Sequence, residues 1–400
     1  MLTPHPARSF VLILLCLAAA GPGVAQGLPE GPVRALDGRL TVSGEVTAVA
    51  GSTDDTAFFN YTDYEHNTLR MMRLSLSGLY RPVSWLALVG ELRSEDLEHP
   101  EPYAAYARVR PWKTLAFDVQ AGIIPPTFGA FSRRVYNSNN PVIGYPLAYQ
   151  YLTSLRTDAL PSSADDVLRM RARGWRSSFP IGSTTTAPGV PLVSAFQWDT
   201  GVQVSWKSDL VEMAAAVTNG TLSSPRFSDD NGGKQLSGRV AFTPTVGLIV
   251  GASAARGPWL SRTVAPDASP VQRAIGADIE YSRDHWIVRS ELVWSRWAFP
   301  TALAPADAMN LDALAAWVEG KYRATPRIFF AARLDRLGFS QLAGSVLTIP
   351  WDAPVERVEW GVGYYVQRNV VLRATAQHNW RNAGRITRRT YLSGQLAYWF

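Results

Sequence analysis

Cysteine is almost missing: in 400 residues the only one is Cys16, inside the N-terminal apolar run Val11–Ala20. The rest of the chain has no thiol for a disulfide, a thiolate nucleophile or a cysteine metal site. Leu17 follows Cys16 within the run, whereas a lipid-bearing cysteine follows such a run and is preceded by small residues, so no lipid attachment is read here. Histidine is also sparse. Beyond the leader only His66, His99, His285 and His378 occur, none at metal-ligand spacing, and there is no glycine-rich phosphate loop and no GxSxG elbow. Neither a metal, a cofactor nor an enzyme is expected. His378, near Gln377 and Asn379, falls on the apolar side of a strand near its end, which suits an interfacial anchor. Lysine is confined to Lys113, Lys207, Lys234 and Lys321, so nearly all of the 39 basic residues are arginine. The arginines are interleaved with acids on alternating strands and make no continuous basic face, so nucleic acid is not an expected partner. No apolar run reaches the roughly 18 to 20 residues that a membrane helix needs.

What is present begins with a leader. Arg8 precedes the apolar run, and Gly21, Pro22, Gly23, Val24 and Ala25 follow it, the pattern of a secretory signal peptide cut after Ala25. Residues 1–25 are thus read as the leader, 26–39 as a short periplasmic segment and 40–400 as one domain.

Hydrophobic residues make up 46% of the chain, yet they are scattered on alternate positions and not pooled. The last segment, Thr390–Phe400, shows this: Leu392, Gly394, Leu396, Tyr398 and Phe400 share one face while Ser393 and Gln395 take the other. Strands with apolar residues toward lipid and polar ones toward a lumen have this period. Similar segments run over Leu40–Ala50, Leu69–Tyr80, Trp85–Glu95, Tyr103–Arg110, Leu115–Ile124, Trp198–Trp206, Leu210–Gly220, Gln235–Thr243, Val246–Arg256, Arg273–Tyr281, Trp286–Trp297, Asp312–Arg323, Arg327–Arg336, Val355–Val366 and Val370–Trp380. The expected fold is all-β, a transmembrane antiparallel barrel of about 16 strands. Short turns, such as Pro244–Thr245 and Ser282–His285, alternate with longer connections, as outer-membrane barrels require, and put both ends of the barrel on the periplasmic side. Trp85, Trp112, Trp206, Trp259, Trp286, Trp351 and Trp380 flank strand ends and are expected in interfacial belts. Tyr398 and Phe400 make an aromatic C-terminus of the type read by the barrel assembly machinery.

The same alternation names the lumen side. Arg73, Glu91, Arg93, Asp118, Arg239, Asp278, Glu280, Arg289, Glu291, Glu319, Lys321, Arg323, Arg333, Glu359 and Arg373 fall on the polar face, since a charge on the lipid face at mid-bilayer costs about 2–4 kcal/mol. A barrel this wide leaves room for water.

One connection, Pro125–Gln197, is far longer than a structureless loop should be. It occupies the position of a third external loop and is read as folding inward to narrow the channel. Ser163, Asp165 and Asp166 mark a helix start, with Arg169, Arg171 and Arg173 following and Gly174 as its stop. Alternatively, Val167–Arg173 pairs with Pro191–Phe196, which would make 18 strands. The insertion carries Arg133, Arg134, Arg156, Arg169, Arg171, Arg173 and Arg176 against Asp158, Asp165 and Asp166, a surplus of 7 − 3 = +4 in a chain of net charge +6. Arginines at a constriction favour anions, while arginines opposed by lumen acids, or turned outward to lipopolysaccharide, leave selectivity weak.

Gly122, Ile123, Ile124, Pro125, Pro126, Thr127, Phe128 and Gly129, then Asp199–Val202, Val217–Gly220, Lys234–Pro244 and Gly251–Ser253, resemble the phosphate-selective porin O/P family of Gram-negative bacteria. Over most of the chain the resemblance implies a homotrimeric, water-filled channel in outer-membrane lipid, with the third loop folded inward, passing small hydrophilic or anionic solutes. That family's channels carry dense arginine and lysine arrays. Here lysine is scarce and Glu91, Asp118, Glu280 and Glu359 face the lumen, so the channel is carried over and phosphate is left open. A general porin, or a non-transport barrel serving as adhesin or scaffold, are the competing readings.

Overall fold

The computed structural model describes residues 29–54, 57–61, 66–266, 269–301 and 309–400. The leader expected over 1–25 and the start of the 26–39 segment lie outside them. Sixteen long strands form the body: β1 Leu40–Gly51, β2 Met72–Val83, β3 Leu86–Glu95, β4 Glu101–Val109, β5 Phe117–Ile124, β6 Asp199–Lys207, β7 Val211–Thr218, β8 Gln235–Thr245, β9 Leu248–Pro258, β10 Val271–Arg283, β11 Trp286–Phe299, β12 Met309–Arg323, β13 Ile328–Phe339, β14 Val355–Gln367, β15 Val370–Arg381 and β16 Arg388–Trp399. Each pairs antiparallel with its sequence neighbour. The ring closes between β16 and β1, where Glu45 stands opposite Trp399 and Thr47 opposite Ala397. Phe400 extends the closure by exchanging both backbone hydrogen bonds with Gly44, at 3.0 and 3.1 Å. A short strand, Val33–Ala35, pairs only with the start of β1. The barrel is therefore closed and has 16 strands. The 18-strand alternative is excluded, because Val167–Arg169 is helical and 191–196 joins no ladder.

Side-chain period two builds the wall. On β13, Arg333 is 0% exposed, while Phe330 and Leu334 are each 53% exposed on the other face. Val204, Met213, Val240, Ile275, Leu292, Leu314, Leu372 and Leu396 continue the exposed apolar face around the ring. A belt of that extent exceeds any patch a soluble monomer shows and fits an acyl-chain environment. Among the described residues, no helix is long and apolar enough to cross a membrane.

Several local expectations are corrected. The turn after β8 sits at Val246–Gly247, not at Pro244–Thr245, because Gly247 adopts a left-handed φ of +87° and lets the strand run on to Thr245. Loop lengths do not alternate without exception: Arg110–Ala116, at the short-turn end, is longer than 96–100 at the other. Trp259 and Trp351 are wholly buried against Phe299 and Phe339 rather than in a belt, whereas Trp85, Trp112, Trp286 and Trp380 are exposed at strand ends.

Candidate functional site

The long insertion, 125–198, holds little regular structure: a 3-10 turn at Phe131–Arg133, a single helical turn α1 at Leu147–Gln150, helix α2 at Ala164–Arg169, and a two-residue antiparallel pairing of Ala159–Leu160 with Ile181–Gly182. The helix start was read correctly, with Ser163 extended at the N-cap and Asp165 and Asp166 in the first turn. Its end was not. The helix stops at Arg169, Ala172 turns left-handed at φ +61°, and the Ala172 amide donates to Asp352 at 2.8 Å. Gly174 serves close packing instead, since a Cβ there would run into the Leu152 carbonyl.

Hydrogen bonds tie the first limb of the insertion to inward-facing wall side chains in a consistent sense. Wall carboxylates accept its backbone amides: Glu45 of β1 from Asn137 and Ser138, both at 2.9 Å, Glu291 of β11 from Ala130 at 2.9 Å, Asp335 of β13 from Leu147 at 3.2 Å, and Glu359 of β14 from Gly144 at 2.8 Å. Wall arginines donate to its carbonyls: Arg333 to Gly144 at 2.7 Å, Arg357 to Tyr145 at 3.1 Å, Arg373 to Asn137 at 2.8 Å and Arg289 to Asn139 at 3.2 Å. Tyr149 gives its hydroxyl to Glu291 at 2.8 Å, and Tyr136 gives its own to Glu91 at 2.7 Å. An irregular chain in a low-dielectric interior needs such partners for its backbone polar groups, and charged partners make the stronger bonds. At Gly144 a Cβ would stand 2.5 Å from Glu359 Oε2 and 2.7 Å from Gln377 Nε2, so any side chain there would have to displace the ends of these two buried side chains.

Arg333 is the hub of the wall. Its guanidinium bridges Asp335 at 3.0 Å, Glu319 at 3.3 Å and Glu359 at 2.9 Å, all buried. Glu45, Asp335 and Arg357 were missed when the sequence was read for site residues. The signal was present: Glu45 alternates with Ser43 and Thr47, Asp335 lies two after Arg333, and Arg357 lies two before Glu359. Asp352, on the β13–β14 connection, has no periodic signal. It accepts the Ser154 and Ala172 amides at 2.8 Å, and burial lifts its carboxyl above the ordinary value.

The charged residues assigned to the lumen from sequence sit on the inner face. Arg73, Glu91, Arg93, Asp278, Glu291, Glu319, Arg333, Glu359 and Arg373 are buried; Asp118, Arg239, Glu280, Arg289 and Lys321 are partly covered, and Arg323 is exposed at the short-turn end. Many are paired across strands. Arg73 meets Glu95 at 2.5 Å and Arg239 meets Asp278.

The seven insertion arginines do not form one array. Arg133 pairs with Glu212 at 2.9 Å and Arg134 with Glu280 at 2.5 Å on the short-turn side. Arg156 is buried, clamped by Asp158 at 2.8 Å and by the Ser177 and Thr185 carbonyls; Arg169 is tied to Asp166 at 2.7 Å. Arg171 donates to Asn382 at 3.3 Å. Arg173 and Arg176 are exposed, with no side-chain partner among the described residues. No cluster of three potential metal ligands occurs among the described residues.

No protein-family model matches the sequence and no curated protein matches it. Solved structures do. OmpF of Salmonella typhi in complex with daunomycin shares 11% identity over 90% of this chain and 97% of its own, with a TM-score of 0.56. An anion-selective porin from Comamonas acidovorans gives 10% identity, 90% and 99% coverage and 0.55. The outer membrane channel DcaP of Acinetobacter baumannii gives 11%, 92% and 99%, and 0.54. At such identities the likeness is one of fold: the chain has the 16-stranded barrel that these outer-membrane proteins have, over nearly its whole length.

Proposed function

We propose that this protein is a passive diffusion channel of the Gram-negative outer membrane for small hydrophilic solutes, narrowed by the 125–198 insertion folded into its lumen. The observation that carries the reading is the division of the wall: a closed barrel with an apolar exterior, whose interior charges bind the backbone of an irregular segment. The long connections then lie outside the cell and the short turns in the periplasm. The leader is removed on export, Tyr398 and Phe400 engage the assembly machinery, and the exterior meets lipid and lipopolysaccharide. A trimer is the expected assembly, by analogy with the trimer form solved for the OmpT outer membrane protein of Vibrio cholerae, which gives 13% identity and a TM-score of 0.52.

Anion preference, with phosphate as the extreme case, rests on fewer groups than the composition suggests. Arg133, Arg134, Arg156 and Arg169 are each opposed by a carboxylate, which leaves Arg171, Arg173 and Arg176 to bias a passing ion. The dense burial of Arg333 and Glu359, both at 0% exposure, favours a small conductance; it is also what a non-transport scaffold would show. Single-channel recording in planar bilayers under a KCl gradient separates these. Discrete steps with a reversal potential near zero support a general channel. An anion-selective potential that Arg173→Ala with Arg176→Ala abolishes supports the selective one, and no steps at all move the reading to a scaffold or adhesin.

A further inference from the structure

At the long-loop end a cleft of about 470 Å³ opens between the β3–β4 hairpin, the returning limb of the insertion and the β7–β8 connection. Tyr103 lies at its floor. The Arg93 guanidinium stacks on that ring, 3.3 Å from its centroid; the Tyr103 hydroxyl donates to the Ala195 carbonyl at 3.0 Å, and Trp198 packs against the same ring at 5.0 Å. Ser194, Gln197 and Pro225 line both this cleft and a neighbouring slot of about 30 Å³ beside Trp198. Phe196 and Phe227 supply apolar walls.

Two donors here lack an acceptor. Arg93 Nε and Trp198 Nε1 belong to side chains at least nine-tenths buried, and among the described residues neither makes a hydrogen bond. Leaving a buried N–H unmet costs about 1–3 kcal/mol, so an outside acceptor that reaches either atom relieves that cost. The far end of Arg93 is held by Glu91 at 3.2 Å. Glu95 is committed to Arg73 at 2.5 Å with His66 3.8 Å away, and Glu101 lies 3.4 Å from His99. Glu98 and Glu101 are exposed at the rim, and Glu98 has no ion-pair partner among the described residues.

The cleft thus presents donors at depth, carboxylates at the rim and apolar surface between. We propose that it is a capture site for a small zwitterion, an amino acid or short peptide with an apolar side chain, its carboxylate on Arg93 Nε and Trp198 Nε1 and its ammonium between Glu98 and Glu101. The role in uptake rests on the channel reading; the binding does not. A dianion meets repulsion at the rim, and a neutral amide leaves the rim carboxylates unpaired.

Calorimetry on the purified barrel in detergent, with L-alanyl-L-alanine as probe and N-acetylalanine amide and succinate as comparators, tests it. Dialanine is expected to bind at one site at least about tenfold more tightly than either comparator, as a charge-assisted hydrogen bond allows. Trp198→Phe, which keeps the ring and removes the N–H, is expected to weaken dialanine about tenfold. Glu98→Gln with Glu101→Gln, at exposed positions, should weaken dialanine and leave succinate no weaker. Equal binding of the three probes, or dialanine affinity unchanged in both variants, overturns the site. Swelling of proteoliposomes from the same preparation keeps the two readings apart. Dialanine binding without swelling in any solute preserves the site and sinks the channel, whereas swelling without dialanine binding does the reverse.

Discussion

Arg333 shows what a single buried charge does in this wall. Three carboxylates converge on it at 2.9–3.3 Å with no solvent exposure at the guanidinium, and it also holds the Gly144 carbonyl. Removing one member of such a group leaves the others charged and unpaired in low dielectric, which costs about 3–5 kcal/mol. Arg333→Met is expected to lower the urea unfolding free energy by that order, read from tryptophan fluorescence; a loss below about 1 kcal/mol would mean that the carboxylates are neutral without it. Asp54, on the β1–β2 connection, behaves differently. It is buried and accepts the Tyr391 hydroxyl and, at 2.8 Å, the Asn60 amide, and burial pushes its carboxyl up from 3.8 to about 6. Because the folded state holds the proton more tightly than the unfolded chain, the charged form destabilises the fold above pH 6, and the penalty vanishes below about 4. The melting temperature of Asp54→Asn relative to the parent should therefore climb as pH rises from 4 through 6 and be flat on either side. A difference independent of pH would remove the carboxyl from the account.

Among the elements, the strands were legible and the insertion was not. Every strand from β1 to β16 was placed within a few residues, because an apolar exterior on one side and a polar interior on the other force period two on the sequence itself. The helix at Ala164–Arg169 announced its start through Asp165 and Asp166, but its end depends on Asp352, 180 residues beyond Ala172, and no local signal carries that. Gly144 makes the same point: nothing in its neighbourhood marks it, yet a Cβ there would push on the ends of Glu359 and Gln377. Gly144→Val is expected to push the insertion off β14 while the barrel stays closed, giving larger and noisier conductance steps with an unchanged heat-modifiable gel band. Identical steps would show that this segment does not limit the current.

For the whole molecule, the alternation of short and long connections predicts sidedness. No cysteine occurs beyond Cys16, so single replacements in the barrel report against little background. Asp229→Cys on the β7–β8 connection should react with a membrane-impermeant maleimide on intact cells, and Asp284→Cys in the β10–β11 turn only after the envelope is opened; the opposite order would invert the barrel. The sequence by itself determined a barrel of about 16 strands and the inward side of each, since these follow from a local rule repeated along the chain; that the count is 16 and not 18 was decided by the helix over Val167–Arg169. Only the tertiary structure decided what the inward charges do. Glu359 reads in sequence as one of several acids that weaken a basic field, and Glu45 and Asp335 do not stand out, yet in space these three and Glu291 take the amides of one irregular segment, while four of its seven arginines are neutralised by acids. Charge is a property of the residue, but its use depends on which backbone reaches it, and the carboxylate–amide contacts join positions from 92 to 215 residues apart.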